Sequence, residues 1–209
     1  QAVALIAATS EEAAWEAERQ MEISYELLKP ILSLDEAIRL NRLIAPERTI
    51  KRGNAPLAME KAPHVLSGIL NTGAQEHWYL ETQTAMAVPG EGVEMKVFAS
   101  SQNPSETQAV VAEVLGINKN EVEVEVKRIG GGFGGKETQG NHVAAWSALL
   151  ARSTGRPVRI HLFRDDDQII TGKRHRFLSR YRIGFDDEGK SLAYEVELNA
   201  DAGAATDLT

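Results

Sequence analysis

The feature that most constrains this chain is the run Gly130-Gly131-Gly132-Phe133-Gly134-Gly135, set between two segments of opposite periodicity. Before it, Glu121-Val122-Glu123-Val124-Glu125-Val126 alternates polar and apolar residues, the pattern of a half-buried strand. After it, residues 138–152 carry Val143, Ala144, Trp146, Ala148, Leu149 and Leu150 at helical spacing, with Gly155 and Pro157 as stop signals. A strand, a glycine loop and a helix in that order bring backbone N–H groups up to a ligand. Residues without Cβ permit both the close approach and a positive φ.

The loop alone admits several readings. Gly130-x-Gly132-x-x-Gly135 fits the dinucleotide fingerprint, which expects an acid about 20 residues further on. The nearest candidate, Asp165, lies later, behind Val158-Arg159-Ile160-His161-Leu162, whose alternation suits an exposed face rather than a central parallel strand. Gly130 followed by Gly135-Lys136 also fits a phosphate loop up to its last position. There Glu137 replaces the hydroxyl that would hold magnesium and would face a phosphate with like charge. A phosphate-loop-like nucleotide-binding protein and a non-catalytic structural module therefore stand as alternatives, and glycine-rich loops that merely turn a corner are common.

Charge narrows the field. A net charge of −7 with no basic stripe argues against a nucleic-acid partner, because nothing is present to replace phosphate counterions. The short basic cluster Lys173-Arg174-His175-Arg176 reads as solvated or internally paired. No apolar run approaches the ~18 residues of a membrane span. The absence of cysteine excludes disulfides, thiolate metal sites and cysteine nucleophiles, and is compatible with a cytoplasmic setting. Hydrophobic content of 43% supplies ample material for a core.

Along the chain, residues 2–8 read as a buried-type strand, and Ser10 caps a helix to about residue 20. Residues 22–27 read as a second strand and 34–40 as a short helix. Residues 45–62, with Pro46, Gly53 and Pro56, read as a linker or exposed loop. Strands follow over 65–71, 77–88 and 93–99. Asn103-Pro104 opens a helix over 106–115 that Gly116 closes. Further strands are expected over 158–163, 177–185 and 192–200, the last two joined by Asp186-Asp187-Glu188-Gly189-Lys190. The fold class is α/β or α+β with mixed sheets. The abrupt ends suggest a piece of a longer polypeptide.

Candidate chemistry is sparse outside the loop. The five histidines include no i, i+4 pair of the kind a zinc site needs, and His142 reads as an ordinary helix residue. Asp165-Asp166-Asp167 lacks the glycine and terminal acid of a calcium loop and reads as a solvated turn. Gln102 sits where a strand meets a helix N-terminus, a place where ligands converge. Glu137 is a carboxylate at the mouth of the glycine loop, near a helix start whose dipole favours its ionised form.

Taken together, four ordered stretches resemble the molybdenum hydroxylase family, and within it the xanthine dehydrogenases. They are Gln75-Glu76-His77-Trp78-Tyr79-Leu80-Glu81-Thr82, Ser101-Gln102-Asn103-Pro104, the segment from Lys127 through the glycines to Thr138, and Arg164-Asp165-Asp166-Asp167 followed by Ile170-Thr171-Gly172-Lys173-Arg174-His175. Trp78 stands where phenylalanine is more usual, and Ala74 where glycine is. The resemblance covers nearly the whole chain. It implies that residues 1–50 are the C-terminal part of a small α/β hammerhead domain, 51–64 a linker, and 65–209 the N-terminal part of a molybdopterin-binding domain.

The resemblance also implies roles. Gln102 would donate a hydrogen bond to an oxygen ligand of molybdenum, and Phe133 and Gly134 would present backbone to the metal centre. Glu137 would bind a purine substrate and stabilise charge on its ring; aldehyde-specific relatives tend to carry an apolar residue there. The resemblance to the xanthine dehydrogenases implies hydroxylation of purines, hypoxanthine and xanthine to urate, with oxygen from water. Electrons leave through 2Fe-2S clusters to FAD on other domains or subunits. Those domains and the remainder of the molybdopterin domain would be the partners. The general base and the substrate-clamping arginine would come from later sequence, so no catalytic residue is expected within this stretch, and the isolated chain is expected to hold no molybdenum and to be inactive.

Overall fold

The computed structural model describes residues 2–205, which fall into two compact units. One comprises Gln1–Glu26 with Glu76–Lys173, the other Leu27–Gln75 with Arg174–Thr209.

The first unit is a two-layer α/β structure. Its four-stranded sheet holds β2 (Thr84–Pro89), β3 (Met95–Ala99), β4 (Val122–Glu125) and β5 (Val158–His161) in the order β4-β3-β2-β5. β2 runs antiparallel to both β3 and β5, whereas β3 and β4 are parallel. That parallel pair needs a crossover, and α4 (Pro104–Leu115) supplies it. Asn103 caps α4 by accepting from Glu106 N–H, Pro104 occupies its first turn, and Gly116 closes it at φ +65°.

The second long helix, α5 (Gly140–Thr154), packs Ala144, Ala148 and Ala151 against the sheet, small residues that let helix and sheet approach closely. Met95, Val97, Val111, Leu115, Val122 and Val143 complete this core. The opposite pleat is polar: Lys96 pairs with Glu123 at 2.8 Å and Glu125 at 3.1 Å. Alternation along β3 and β4 therefore sorts one face to the helices and the other to water. At the edges of this unit lie α1 (Glu11–Arg19), with Ser10 accepting from Ala13 N–H, and α6 (Arg164–Ile170).

The second unit centres on a three-stranded antiparallel sheet of β1 (His64–Thr72), β6 (Phe177–Phe185) and β7 (Ser191–Ala200), in the order β1-β6-β7. One face carries the cross-strand pairs Arg180–Glu197 (3.1 Å) and Arg182–Glu195 (3.3 Å). A helix, α3 (Ala55–Lys61), seats Met59 and Ala62 beside Gly184 and Ala193. A short helix, α2 (Leu34–Arg39), is capped by Ser33.

Several expectations are corrected. Residues 2–8 and 22–27 form no strand, because no strand among the described residues takes up their backbone groups, and most of them are exposed. The expected linker contains α3, which Asn54 caps by accepting from Leu57 N–H. The expected long strand over 77–88 begins only at Thr84, since Trp78 turns the backbone into the left-handed region at φ +53°. The acidic turn at 165–167 is the first part of α6. The basic cluster is internally paired: Lys173 with Glu76 at 2.9 Å, and Arg176 with Asp201 at 3.3 Å. No helix among the described residues is long and apolar enough to cross a membrane.

Candidate functional site

The site lies within the first unit, where the glycine loop leaves β4 and irregular backbone from 126 to 139 precedes α5. Three positive-φ residues shape its crest. Gly131 has φ +93°, Phe133 φ +53° and Gly134 φ +91°, and Phe133 is 75% exposed. Gly134 is exposed as well, so the main chain at the crest is open to a ligand.

Gln102 holds this crest from below. Its Oε1 accepts from Gly134 N–H and from Lys136 N–H, both at 3.1 Å, while its own N–H donates to Lys136 C=O at 2.7 Å. With two N–H groups on the oxygen, the amide can face only one way. Its Nε2 is left as an outward donor that meets no acceptor among the described residues. The loop must be glycine where it touches this amide, because a Cβ at Gly132 would collide with Gln102 Oε1. Likewise, a Cβ at Gly135 would fall 2.7 Å from the His77 and Tyr79 rings.

Beneath the crest is a buried polar scaffold. Lys136 is 0% exposed; its Nζ lies 2.7 Å from Ser100 Oγ, 3.1 Å from Glu81 Oε2 and 4.7 Å above the Tyr79 ring centre. The same Glu81 Oε2 accepts from Ser100 Oγ at 2.8 Å and from Gly130 N–H at 2.8 Å. One carboxylate oxygen thus grips both ends of the loop. Burial opposes ionisation of Glu81, but the donors Gly130, Ser100 and Lys136 outweigh it and hold its pKa below the usual carboxylate range. Burial pushes the Lys136 pKa down, and Glu81 pulls against that shift.

A second cluster locks the base of the scaffold. Asp167, 2% exposed, accepts from Tyr79 Oη at 2.7 Å and from Gln83 N–H at 2.6 Å. Gln83 Nε2 in turn reaches Tyr79 Oη and Gly135 C=O. Burial and the hydrogen bond to Asp167 push the Tyr79 phenol up to about 12. Arg164 donates to Tyr79 C=O and Leu80 C=O and lies over the Trp78 ring, which fixes the left-handed turn there.

The structure therefore joins Gln102 to the loop carrying Phe133 and Gly134. It places Glu137 directly after the peptide that Gln102 clamps on both sides. Glu137 is half-buried, and its carboxylate accepts no hydrogen bond from any described residue. Sequence reasoning missed Glu81, Ser100, Tyr79, Gln83 and Asp167 as site residues, and Lys136 carried a phosphate contact only in the alternative phosphate-loop reading. Its burial against Glu81 removes it from that role. Asp167 was hidden inside an acidic triplet whose other members, Asp165 and Asp166, are not buried. The dinucleotide reading also loses its support, since β5 pairs antiparallel with β2, at the sheet edge opposite β4.

Residues 39–209 match the family described as "Molybdopterin cofactor-binding domain". The chain is 43% identical over 208 residues to "Xanthine dehydrogenase/oxidase" of Gallus gallus, covering 99% of this chain and 15% of that protein. It is 41% identical over 209 residues to "Aldehyde oxidase 3" of Rattus norvegicus, covering 99% of this chain and 16% of the relative. This chain thus spans about one sixth of the length of these curated relatives. Among solved structures, the aldehyde oxidoreductase from Desulfovibrio gigas superposes with a TM-score of 0.79 at 22% identity, over 91% of this chain and 22% of that one. Quinoline 2-oxidoreductase from Pseudomonas putida 86 gives a TM-score of 0.77 at 23% identity, over 91% and 25%. The chain belongs to the molybdopterin cofactor-binding domain family.

Proposed function

We propose that this chain is part of the molybdopterin-binding region of a xanthine dehydrogenase that hydroxylates purines. In this reading residues 1–50 close a hammerhead domain, 51–64 link, and 65–209 open the cofactor-binding domain. The remainder of that domain, and FAD and 2Fe-2S modules elsewhere, complete the enzyme, which works in the cytoplasm. The support is the identity to xanthine dehydrogenases over the full chain, together with one geometric observation. A single glutamine amide is pinned by the glycine loop so that only its NH2 faces outward.

The residues present fit the cofactor. An outward amide donor suits an anionic oxygen ligand, and positive-φ main chain at Phe133 and Gly134 permits contact that side chains would obstruct. When bound, molybdopterin-held molybdenum supplies a two-electron oxidation of an electron-poor carbon with oxygen drawn from water. Gln102 would donate a hydrogen bond from Nε2 toward that group and orient it. Phe133 and Gly134 exclude water from one side of it. Glu137, bearing a carboxylate without an internal partner, binds the purine through the ring N–H groups and stabilises the charge distribution that develops on it.

Glu137→Ala in the intact enzyme is expected to lower kcat/KM for xanthine by roughly 100-fold, the loss typical of a removed polar contact to developing charge. Turnover of a simple aldehyde should change less than about threefold, since an aldehyde has no ring N–H to bind. Equal losses on both substrates would remove Glu137 from substrate recognition.

A further inference from the structure

We propose that Lys136 is a positioning residue: its buried ammonium sets where the Gln102 amide and the loop crest stand. This rests on the reading of Gln102 as the neighbour of the metal centre. Five of the eight residues from Gly130 to Glu137 are glycine, so the loop has little conformational preference of its own. Its shape must come from anchors, and these converge on Lys136. The peptide N–H and C=O of Lys136 both hydrogen-bond Gln102, while its Nζ is fixed by Ser100 Oγ and Glu81 Oε2 beneath. The other end of the loop is held by that same carboxylate oxygen through Gly130 N–H.

The residue type is informative. A fully buried ammonium is costly to desolvate, and a hydrophobe of similar length would fill the space at lower cost. A methionine, however, has no donor with which to share Glu81 Oε2. The lysine fixes the distance between the floor of the scaffold and the Gln102 clamp, and an apolar side chain would leave the loop free to rise and rotate the amide with it.

The test uses the intact molybdenum-loaded enzyme and compares Lys136→Met, Ser100→Ala, Gln102→Ala and the Lys136→Met/Gln102→Ala double variant. The readouts are metal content, amide hydrogen exchange over residues 130–137, the Mo(V) electron paramagnetic resonance spectrum, and the split between kcat and KM. In Lys136→Met the Gly134 and Lys136 amides are expected to exchange at least roughly tenfold faster while the amides of α5 keep their protection. Its spectrum should move in the same direction as that of Gln102→Ala, and kcat should fall roughly tenfold at nearly constant KM. The double variant should be no slower than Gln102→Ala, because both changes act through one amide. Ser100→Ala removes one ligand of the ammonium but spares the charge pair. It should shift exchange and spectrum the same way by less, and it decides the matter if Lys136→Met does not fold.

Wild-type exchange and spectrum in the folded variant, or losses that multiply in the double variant, would overturn the proposal. If Gln102→Ala itself leaves the spectrum unchanged, the placement of the metal beside Gln102 fails. The exchange data then still decide whether Lys136 shapes the loop.

Discussion

Glu81 and Lys136 differ in what their loss exposes. Removing the charge of Glu81 strands an ammonium that has no exposure at all, whereas removing Lys136 leaves a carboxylate whose side chain is 35% exposed and still bound by Gly130 and Ser100. Glu81→Gln is therefore expected to destabilise the protein by about 2–3 kcal/mol, less than for a fully buried pair because the Glu81 side chain is 35% exposed and partly screened. Lys136→Met should cost about 1–2 kcal/mol, since the anion left behind keeps other donors. Urea unfolding of the intact protein's variants ranks the two, and the reverse order would show that the ammonium is hydrated. A second residue-scale expectation concerns Gly132. Its φ is ordinary, so Gly132→Ala strains nothing in the backbone, but the added methyl collides with Gln102 Oε1. The cost should be about 1–3 kcal/mol, as for overpacking, and the Gly134 amide should lose protection in hydrogen exchange. At this scale the sequence disclosed Gln102 and Glu137 as residues worth attention. It disclosed nothing of Glu81, which lies 55 positions from the lysine it neutralises.

Among the elements, helix ends are written locally, yet α3 lies inside the expected linker and α6 begins at the expected acidic turn. Ser10, Ser33, Asn54 and Asn103 each accept from a backbone N–H of the first turn. Strand composition overcounts instead, since a strand exists only where a partner accepts its hydrogen bonds. Residues 2–8 have strand composition and no partner strand among the described residues, whereas residues 64–72 have one along their whole length. The capping of α4 has a functional side, because Asn103 directly follows Gln102. Asn103 both accepts from Glu106 N–H and donates to Glu106 Oε2. Asn103→Ala is expected to cost about 1 kcal/mol and to lower the thermal midpoint. Asn103→Ser, which keeps a capping acceptor without setting a second carboxylate beside Glu106, should restore most of it; no difference between the two would mean that the cap does not hold the helix start.

For the whole molecule, the acid response follows from its paired carboxylates. Glu76 is held below its usual range: burial opposes ionisation, but Lys173 and the backbone N–H groups of His77 and Trp78 overcome it. Glu81 is depressed in the same sense. A carboxylate whose folded pKa lies below its unfolded value stabilises the fold above the unfolded value and loses that contribution as pH falls through the folded one. Stability should therefore be steady from neutral pH down to about 5 and decline below about 4.5, as the unfolded chain takes up protons first. Glu81→Gln should flatten that decline, a comparison thermal melts across the acid range can make; an unchanged slope would assign the acid response elsewhere.

The amino-acid sequence by itself determined the local grammar: which stretches cap and coil, which alternate, and that glycines 130–135 must turn where other residues could not. Ordered motifs also carried the family resemblance, because they occur in a fixed succession that composition does not dictate. Only the tertiary structure decided which polar groups meet. That Lys136 turns inward to Glu81, that Asp167 is buried on Tyr79, and that the Gln102 amide has one permitted orientation all depend on contacts between distant segments. Periodicity reports whether a side chain faces a core or water. It is silent about the partner a buried charge will find, because that is settled when the sheet and its helices close over it.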